Sequence, residues 1–482
     1  MPGRRNVHPA TAGRGAGFAS VAAVPVARAK LGIANVMKPS SLFVAVSVAL
    51  GLAAAAAGAS AEDLMQIYRE AQQNDPAIAA AKSQWLATQE RMPQAKAGLL
   101  PSASLSGQAN VNTFDSTVRS DPAVDVNRDY RFYGATVSAA QPLYRRQNTI
   151  AYDQSKEVVA QAEWVLGTSQ QDLILRVAIA YFDVLLAEFS IELAVAQKAA
   201  VSEQLAQAKR NFEVGVATIT DTNEAQAKYD QIVATEITTR NDYDNKITAL
   251  RAIIGRFPKE LKKLGQGFEP KPPEPNTLDY WVDRALKDNL SVRIAQANYD
   301  IATLEVDRAR AGHYPTVDLV ASYGAQGSNG SVNTGVSSDS RSGLIGVQVA
   351  VPIYAGGGIE SRVREAVALR EKSRQDLEGA RRGALFGAQT GFSGVNSAVA
   401  AVRAFEQALV SAQTAYASNK LGQEVGVRTN LDVLNTQQNV FSTRRDLAQA
   451  YFNYLTGYLR LKAAVGSLTE SDLEDINRQL RG

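Results

Sequence analysis

Two periodicities divide the chain beyond residue 61. From 102 to 111, Ser102, Ser104, Ser106, Gln108 and Asn110 alternate one by one with Ala103, Leu105, Gly107, Ala109 and Val111. The same period of two recurs at 317–324, where Asp318, Val320, Ser322 and Gly324 oppose Val317, Leu319, Ala321 and Tyr323. It returns at 345–351 and at 133–139. Such alternation predicts strands, because successive strand side chains point to opposite faces. Residues 145–213 and 357–424 behave differently: they lack internal proline and are rich in Ala, Gln, Glu, Lys and Arg. Those residues favour helix, and ~70 of them at ~1.5 Å each predict rods of about 105 Å. Shorter helical stretches are expected at 62–97, 221–255, 277–312 and 432–466.

These parts occur twice in one order. EVGVATITD at 213–221 returns as EVGVRTNLD at 424–432, with six of nine positions identical and an offset of 211. AKAGLLPS at 95–102 returns as ARAGHYPT at 309–316, and Pro142 of QPLY is matched by Pro352 of VPIY. A nearly constant offset predicts two structural repeats, 62–256 and 277–466. Each reads helix, strand–loop–strand, long helix, turn, helix. The Pro- and Lys-rich segment 257–276 links them, and 467–482 follows the second.

Polar stretches at 112–129 and 327–342 read as the loops between strands. Dyad patterning over ~10 residues between polar loops fits membrane β-barrel strands with one face to lipid. An ordinary soluble sheet alternates in the same way, so the pattern alone leaves both open. Four strands cannot close a barrel, which needs about eight, whereas three chains would supply twelve without an open edge.

Residues 1–61 contain no acidic residue before Glu62. Met37 and Lys38 precede an apolar run at 42–57 and then Ala59-Ser60-Ala61, which predicts a signal peptide cleaved after Ala61. Met37 is an alternative start. A membrane anchor is the competing reading, but the run is short for a ~20-residue span. The leader also holds six of the 51 Lys and Arg residues, leaving 45 against 48 Asp and Glu. The basic balance of the full chain therefore belongs to the leader, and nucleic-acid binding is not expected. With no Cys, and only His313 beyond the leader, the chain offers no thiol nucleophile, disulfide framework or multi-histidine metal site. No enzyme activity and no cofactor is expected.

Each repeated turn carries its own capping chemistry. Gly215 and Gly426 stand where a left-handed residue ends a long helix. Thr218 and Asp221, like Thr429 and Asp432, have the T-x-x-D spacing of a capping box at the start of the next helix.

Over residues 62–482 the chain resembles the TolC-type outer-membrane efflux family. The resemblance rests on DLMQIYREAQQNDP, AGLLPS, QPLY, VGVATITD, AGHYPTVDL, VPIYAGG, VGVRTNLDVLN and YFNYLTGYLRLKAAVG, in family order. It implies an α+β membrane protein of the outer membrane: a trimeric twelve-stranded β-barrel, four strands per chain, continuing into an α-helical periplasmic tunnel. Pro101, Pro142, Pro315 and Pro352 would mark the barrel–helix transitions, and 257–276 with 467–482 an equatorial belt. The duct would be passive, serving drug efflux or type I protein secretion. A periplasmic adaptor and an inner-membrane RND or ABC transporter would be its partners, with lipid around the barrel. The resemblance further implies a gate ring at Asp432, with Asn435 where many relatives carry a second acid, and cation block at Asp432. It implies a latch from Arg428 to Thr220 and Asp221, with Gln423 in place of a tyrosine that ties the same turn. Two other classes compete. A periplasmic adaptor would have a helical hairpin but no barrel, and a porin would lack the long rods.

Overall fold

The computed structural model describes residues 61–481 except 120, 266 and 332–334. The expected signal peptide and the alternative start at Met37 lie outside the described residues. The first helical stretch is three helices: α1 (Leu64–Asn74), α2 (Pro76–Gln89) and α3 (Arg91–Ala97). Asp75 interrupts what the sequence suggested was continuous. It sits before a proline, takes extended angles (φ −71°, ψ 120°), and its carboxylate accepts from the Ala77 and Ile78 N–H groups.

The first hairpin follows, β1 (Ser102–Val118) and β2 (Val124–Tyr144), then the long helix α4 (Arg146–Glu213) and its return α5 (Ile219–Ile254). Beyond the short strand β3 (Lys263–Leu264), the order repeats. Helices α6 (Leu278–Asp288) and α7 (Leu290–Arg310) lead to β4 (Thr316–Ser328), β5 (Ser338–Ala350), α8 (Gly358–Glu424) and α9 (Asn430–Ala464). Asn289 divides α6 from α7 as Asp75 divides α1 from α2, its side chain accepting from the Val292 N–H. The chain closes with α10 (Glu470–Asn477) and β6 (Leu480–Arg481). At 68 and 67 residues, α4 and α8 are each about 100 Å long.

Strands β1, β2, β4 and β5 form one antiparallel sheet in the order β1-β2-β4-β5. Its register keeps the faces apart. Leu105 pairs with Val137, Val137 with Tyr323, and Leu319 with Val347, so these share one face with Val111, Ile345 and Val349. All are exposed; Ile345 keeps 79% of its surface. The opposite face carries Ser104, Ser106, Gln108, Thr136, Ser138, Ser322, Gln326, Ser342 and Gln348.

The expected loop 112–129 is mostly strand. The β1–β2 ladder runs from Ser102↔Ala140 to Val118↔Val124. Polar residues here mark exposure rather than irregular backbone, since a ladder in water needs no apolar face, and Thr113, Thr117, Val118, Val124 and Val126 favour it. The second expected loop, 327–342, shrinks for the same reason to 329–337.

The main core joins the repeats at the level of the linker. Buried Leu64, Ile67 and Tyr68 pack with Tyr181 and Phe182, and Phe182 stacks on Phe452 at 5.7 Å between ring centres. The Tyr181 hydroxyl donates to the Lys262 carbonyl at 2.8 Å, and β3 pairs with β6. Linker and C-terminal segment therefore meet in this short strand pair. A smaller apolar cluster lies near the turns: Val201, Leu205, Ala208, Ala225, Ile232 and Leu434.

Candidate functional site at the two helix turns

Both long helices end in the same way. Gly215 takes φ 82° and Gly426 φ 81°, a conformation that costs a side chain but not glycine. The Val216 N–H reaches back to the Asn211 carbonyl at 2.8 Å, and the Val427 N–H to that of Gly422 at 2.8 Å. Reciprocal caps then start α5 and α9. In the first, the Thr218 N–H donates to Asp221 Oδ2 at 2.9 Å and the Asp221 N–H to Thr218 Oγ1 at 3.2 Å. In the second, the Thr429 N–H donates to Asp432 Oδ2 at 3.0 Å and the Asp432 N–H to Thr429 Oγ1 at 3.1 Å. Hydrogen bonds from the Thr429 N–H and hydroxyl hold the Asp432 carboxyl below the usual range, and the charge of Arg428 adds to this. Asp432 is half-buried and Asn435 is exposed.

The two copies differ around Arg428. A methyl group on Gly422 would lie 2.7 Å from Arg428 Cγ, so the arginine stem crosses the last turn of α8 where no side chain stands. The first copy has Asn211 and Ala217 at the matching positions. Gly422 escaped the sequence reading; the signal available was a glycine six residues before an arginine that only one copy carries. Gln423 Nε2 donates to Asn430 Oδ1 at 3.2 Å within the same turn. Among the described residues Arg428 forms no ion pair with Asp221, whose carboxylate is held in its own cap, and Thr220 is exposed. Within one chain, then, the geometry joins Thr218 to Asp221, Thr429 to Asp432 and Gln423 to Asn430, but not Arg428 to the first turn.

At the other end of the rods, Pro101 and Pro315 immediately precede β1 and β4, and Pro352 follows β5. Pro142 lies inside β2, where the register shifts between Pro142 and Tyr144, a position that tolerates a residue without an N–H. Arg145 and Asp318 meet there, an ion pair that sequence reasoning missed. Among the described residues no helix is long and apolar enough to cross a membrane, and no acidic or histidine group has metal-site geometry.

An exposed apolar sheet face, joined through paired prolines to rods about 100 Å long, defines a β-barrel that continues into a helical tunnel. The chain belongs to the family described as outer membrane efflux protein, which it matches over residues 67–256 and 281–467. It is 33% identical over 422 residues to the outer membrane protein TolC of Vibrio cholerae, covering 87% of this chain and 94% of that protein. It is 34% identical over 422 residues to the alkaline protease secretion protein AprF of Pseudomonas aeruginosa, covering 85% and 86%. Among solved structures it is similar to the outer membrane protein VceC of Vibrio cholerae, with a TM-score of 0.69 at 20% identity, covering 84% of this chain and 96% of that one. The chain is an outer-membrane protein.

Proposed function

We propose that three copies of this chain form a passive exit duct whose periplasmic end is gated at the second repeated turn. The duct serves efflux and type I secretion. A four-stranded sheet needs partners to close, and its exposed apolar face needs lipid. The observation that carries the gate is the placement of Asp432: a carboxylate fixed by its cap at the end of a rod remote from the sheet. Three such carboxylates about one axis would attract cations and repel anions, an effect screened over ~10 Å at 0.1 M salt. Asn435 is neutral, so the entrance has one acidic ring and modest cation block. Energy and substrate choice come from an inner-membrane transporter coupled through a periplasmic adaptor. Similarity to a protease-secretion protein at 34% identity favours proteins among the cargo.

Single-channel recording in planar bilayers tests the reading. Wild-type channels should prefer cations, and Asp432→Asn should reduce both that preference and block by multivalent cations. Unchanged selectivity would leave Asp432 as a helix cap alone.

A further inference from the structure

Between α4, α5 and α9 lies a hollow of about 220 Å³ with a mixed lining, in which Gln197, Thr235, Gln438 and Ser442 stand beside Ile232 and Phe441. Across such a gap the polar groups gain little from staying together, because water satisfies them equally well, and the apolar ones make no close contact. One helical turn nearer the tip the contact changes character. Leu434 of α9 is 2% exposed and inserts among Val201, Leu205, Ala208, Ala225 and Ile232 of the first repeat. It is the single second-repeat residue of that cluster among the described residues. Beside it, Lys228 Nζ donates to Gln438 Oε1 at 3.0 Å. Thr222 Oγ1 and Asn430 Nδ2 are buried near the same turns without a protein partner, so parting the tips would hydrate them.

We infer that Leu434 is the catch that holds the second hairpin against the first within each chain, with the Lys228–Gln438 hydrogen bond as its polar companion. This rests on the entrance proposed above and names what must be pulled apart to widen it. The hollow thins the packing of α9 on the first hairpin just above Leu434. Extracting Leu434 exposes a large aliphatic side chain and its pocket together, so resistance to opening concentrates at one residue. The catch acts inside one chain, whereas a latch through Arg428 would act between turns.

The test is conductance of the full-length protein in planar bilayers, with recovery of the detergent-stable oligomer as the folding control. Leu434→Ala should raise the open fraction by on the order of tenfold, and Leu434→Met, which keeps the volume, should leave it near wild type. Because the chain has no cysteine, Lys228→Cys with Gln438→Cys can be bridged selectively by a short bismaleimide, migrating as a monomer on denaturing gels. The bridge should return the Leu434→Ala channel to low conductance. Wild-type conductance in Leu434→Ala, or a bridge without effect, overturns the catch. If Asp432→Asn still shifts selectivity in that case, the entrance reading stands without it; if that also fails, both fall.

Discussion

Arg145 and Asp318 form a two-pronged ion pair across the seam between the repeats: Nε reaches Oδ1 at 2.8 Å and Nη2 reaches Oδ2 at 2.6 Å. Arg145 immediately precedes α4 in the first repeat, and Asp318 lies in β4 of the second. The carboxylate side chain is 11% exposed and the guanidinium 44%, so the acid is shielded while the base still reaches water. A planar fork on a planar carboxylate fixes orientation as well as distance. The pair therefore sets the angle at which the rod leaves the sheet. Asp318→Asn and Arg145→Ala should each lower the temperature at which the oligomer dissociates in detergent, by several degrees. The double variant should be little worse than either alone, since both remove one interaction. Additive losses would show that the two side chains act independently.

A second ion pair predicts acid sensitivity at the level of the main core. Arg176 Nη1 lies 2.7 Å from Asp75 Oδ2, and the Asp75 side chain is 3% exposed. Burial by itself would raise the Asp75 carboxyl, but the Arg176 hydrogen bond and the N–H groups of Ile78 and Ala77 outweigh it and hold the carboxyl low. A lowered native value means that the stabilisation is fully present above the unfolded value, near pH 4, and is lost as pH falls through the native one. Asp75→Asn keeps an N-cap but removes the charge, so at pH 7 it should cost about 1–2 kcal/mol. Thermal unfolding followed by circular dichroism should show the difference from wild type shrinking below about pH 4. A difference that is constant with pH would sink the assignment.

The cap on Asp432 should be visible in the channel's pH response. Mutual repulsion in a ring of carboxylates favours protonation, while the hydrogen bonds from Thr429 oppose it. Block by a trivalent cation should accordingly persist into the acid range. Thr429→Val deletes the hydroxyl and should move the midpoint of that loss to higher pH. If the midpoint does not move, the cap has no part in keeping the entrance charged.

Arg428 and Asp221 give the fourth expectation. In the isolated chain the arginine stem lies over Gly422 and its charge is exposed. A cation just before a helix start is unfavourable, so an acceptor on a neighbouring turn would be stabilising. Asp221 is the candidate, and an exposed pair of this kind is worth ~1 kcal/mol or less. Arg428→Ser and Asp221→Ala should each raise resting conductance modestly, with the double variant adding little. Asp221→Ala also removes a cap, so helicity near the first turn serves as the control. No rise from Arg428→Ser would assign that side chain to docking instead of gating.

The turn caps are written in four consecutive residues, T-x-x-D, and the left-handed glycines sit three positions earlier, so local chemistry alone specifies them. The long helices are equally plain because nothing in nearly 70 residues interrupts them. What stayed hidden depends on environment or on distance along the chain. The polar stretch 112–129 reads as a loop because its charges and its Ser, Thr and Asn residues hide the alternation that puts Phe114, Val118, Val124 and Val126 on one face. Asp75 looked internal to a helix, although the proline after it was a visible stop. Arg145 and Asp318 are 173 positions apart, and nothing at either end advertises the other. Leu434 reads as one more leucine in an amphipathic helix until the first repeat is packed beside it.

The unequal heights of the two hairpins shape the outer mouth. Pairing of β2 with β4 ends at Phe132↔Ser328, and pairing of β4 with β5 ends at Ser328↔Ser338. The β1–β2 ladder continues from Val111↔Arg131 to Val118↔Val124, a further two-stranded ribbon of about 25 Å. In the assembled barrel, tall and short hairpins alternate, so the rim is crenellated like a battlement. The β2 edge of the ribbon is partly covered, since the Asn329 N–H donates to the Arg131 carbonyl and Arg128 Nη1 to the Ser331 carbonyl. An open strand edge, by contrast, invites pairing with other chains unless charges blunt it. Asp115, Asp125, Arg128, Asp129 and Arg131 stand along the ribbon. A ribbon that outreaches its neighbour by about 25 Å is thus the part of the sheet farthest from the rods.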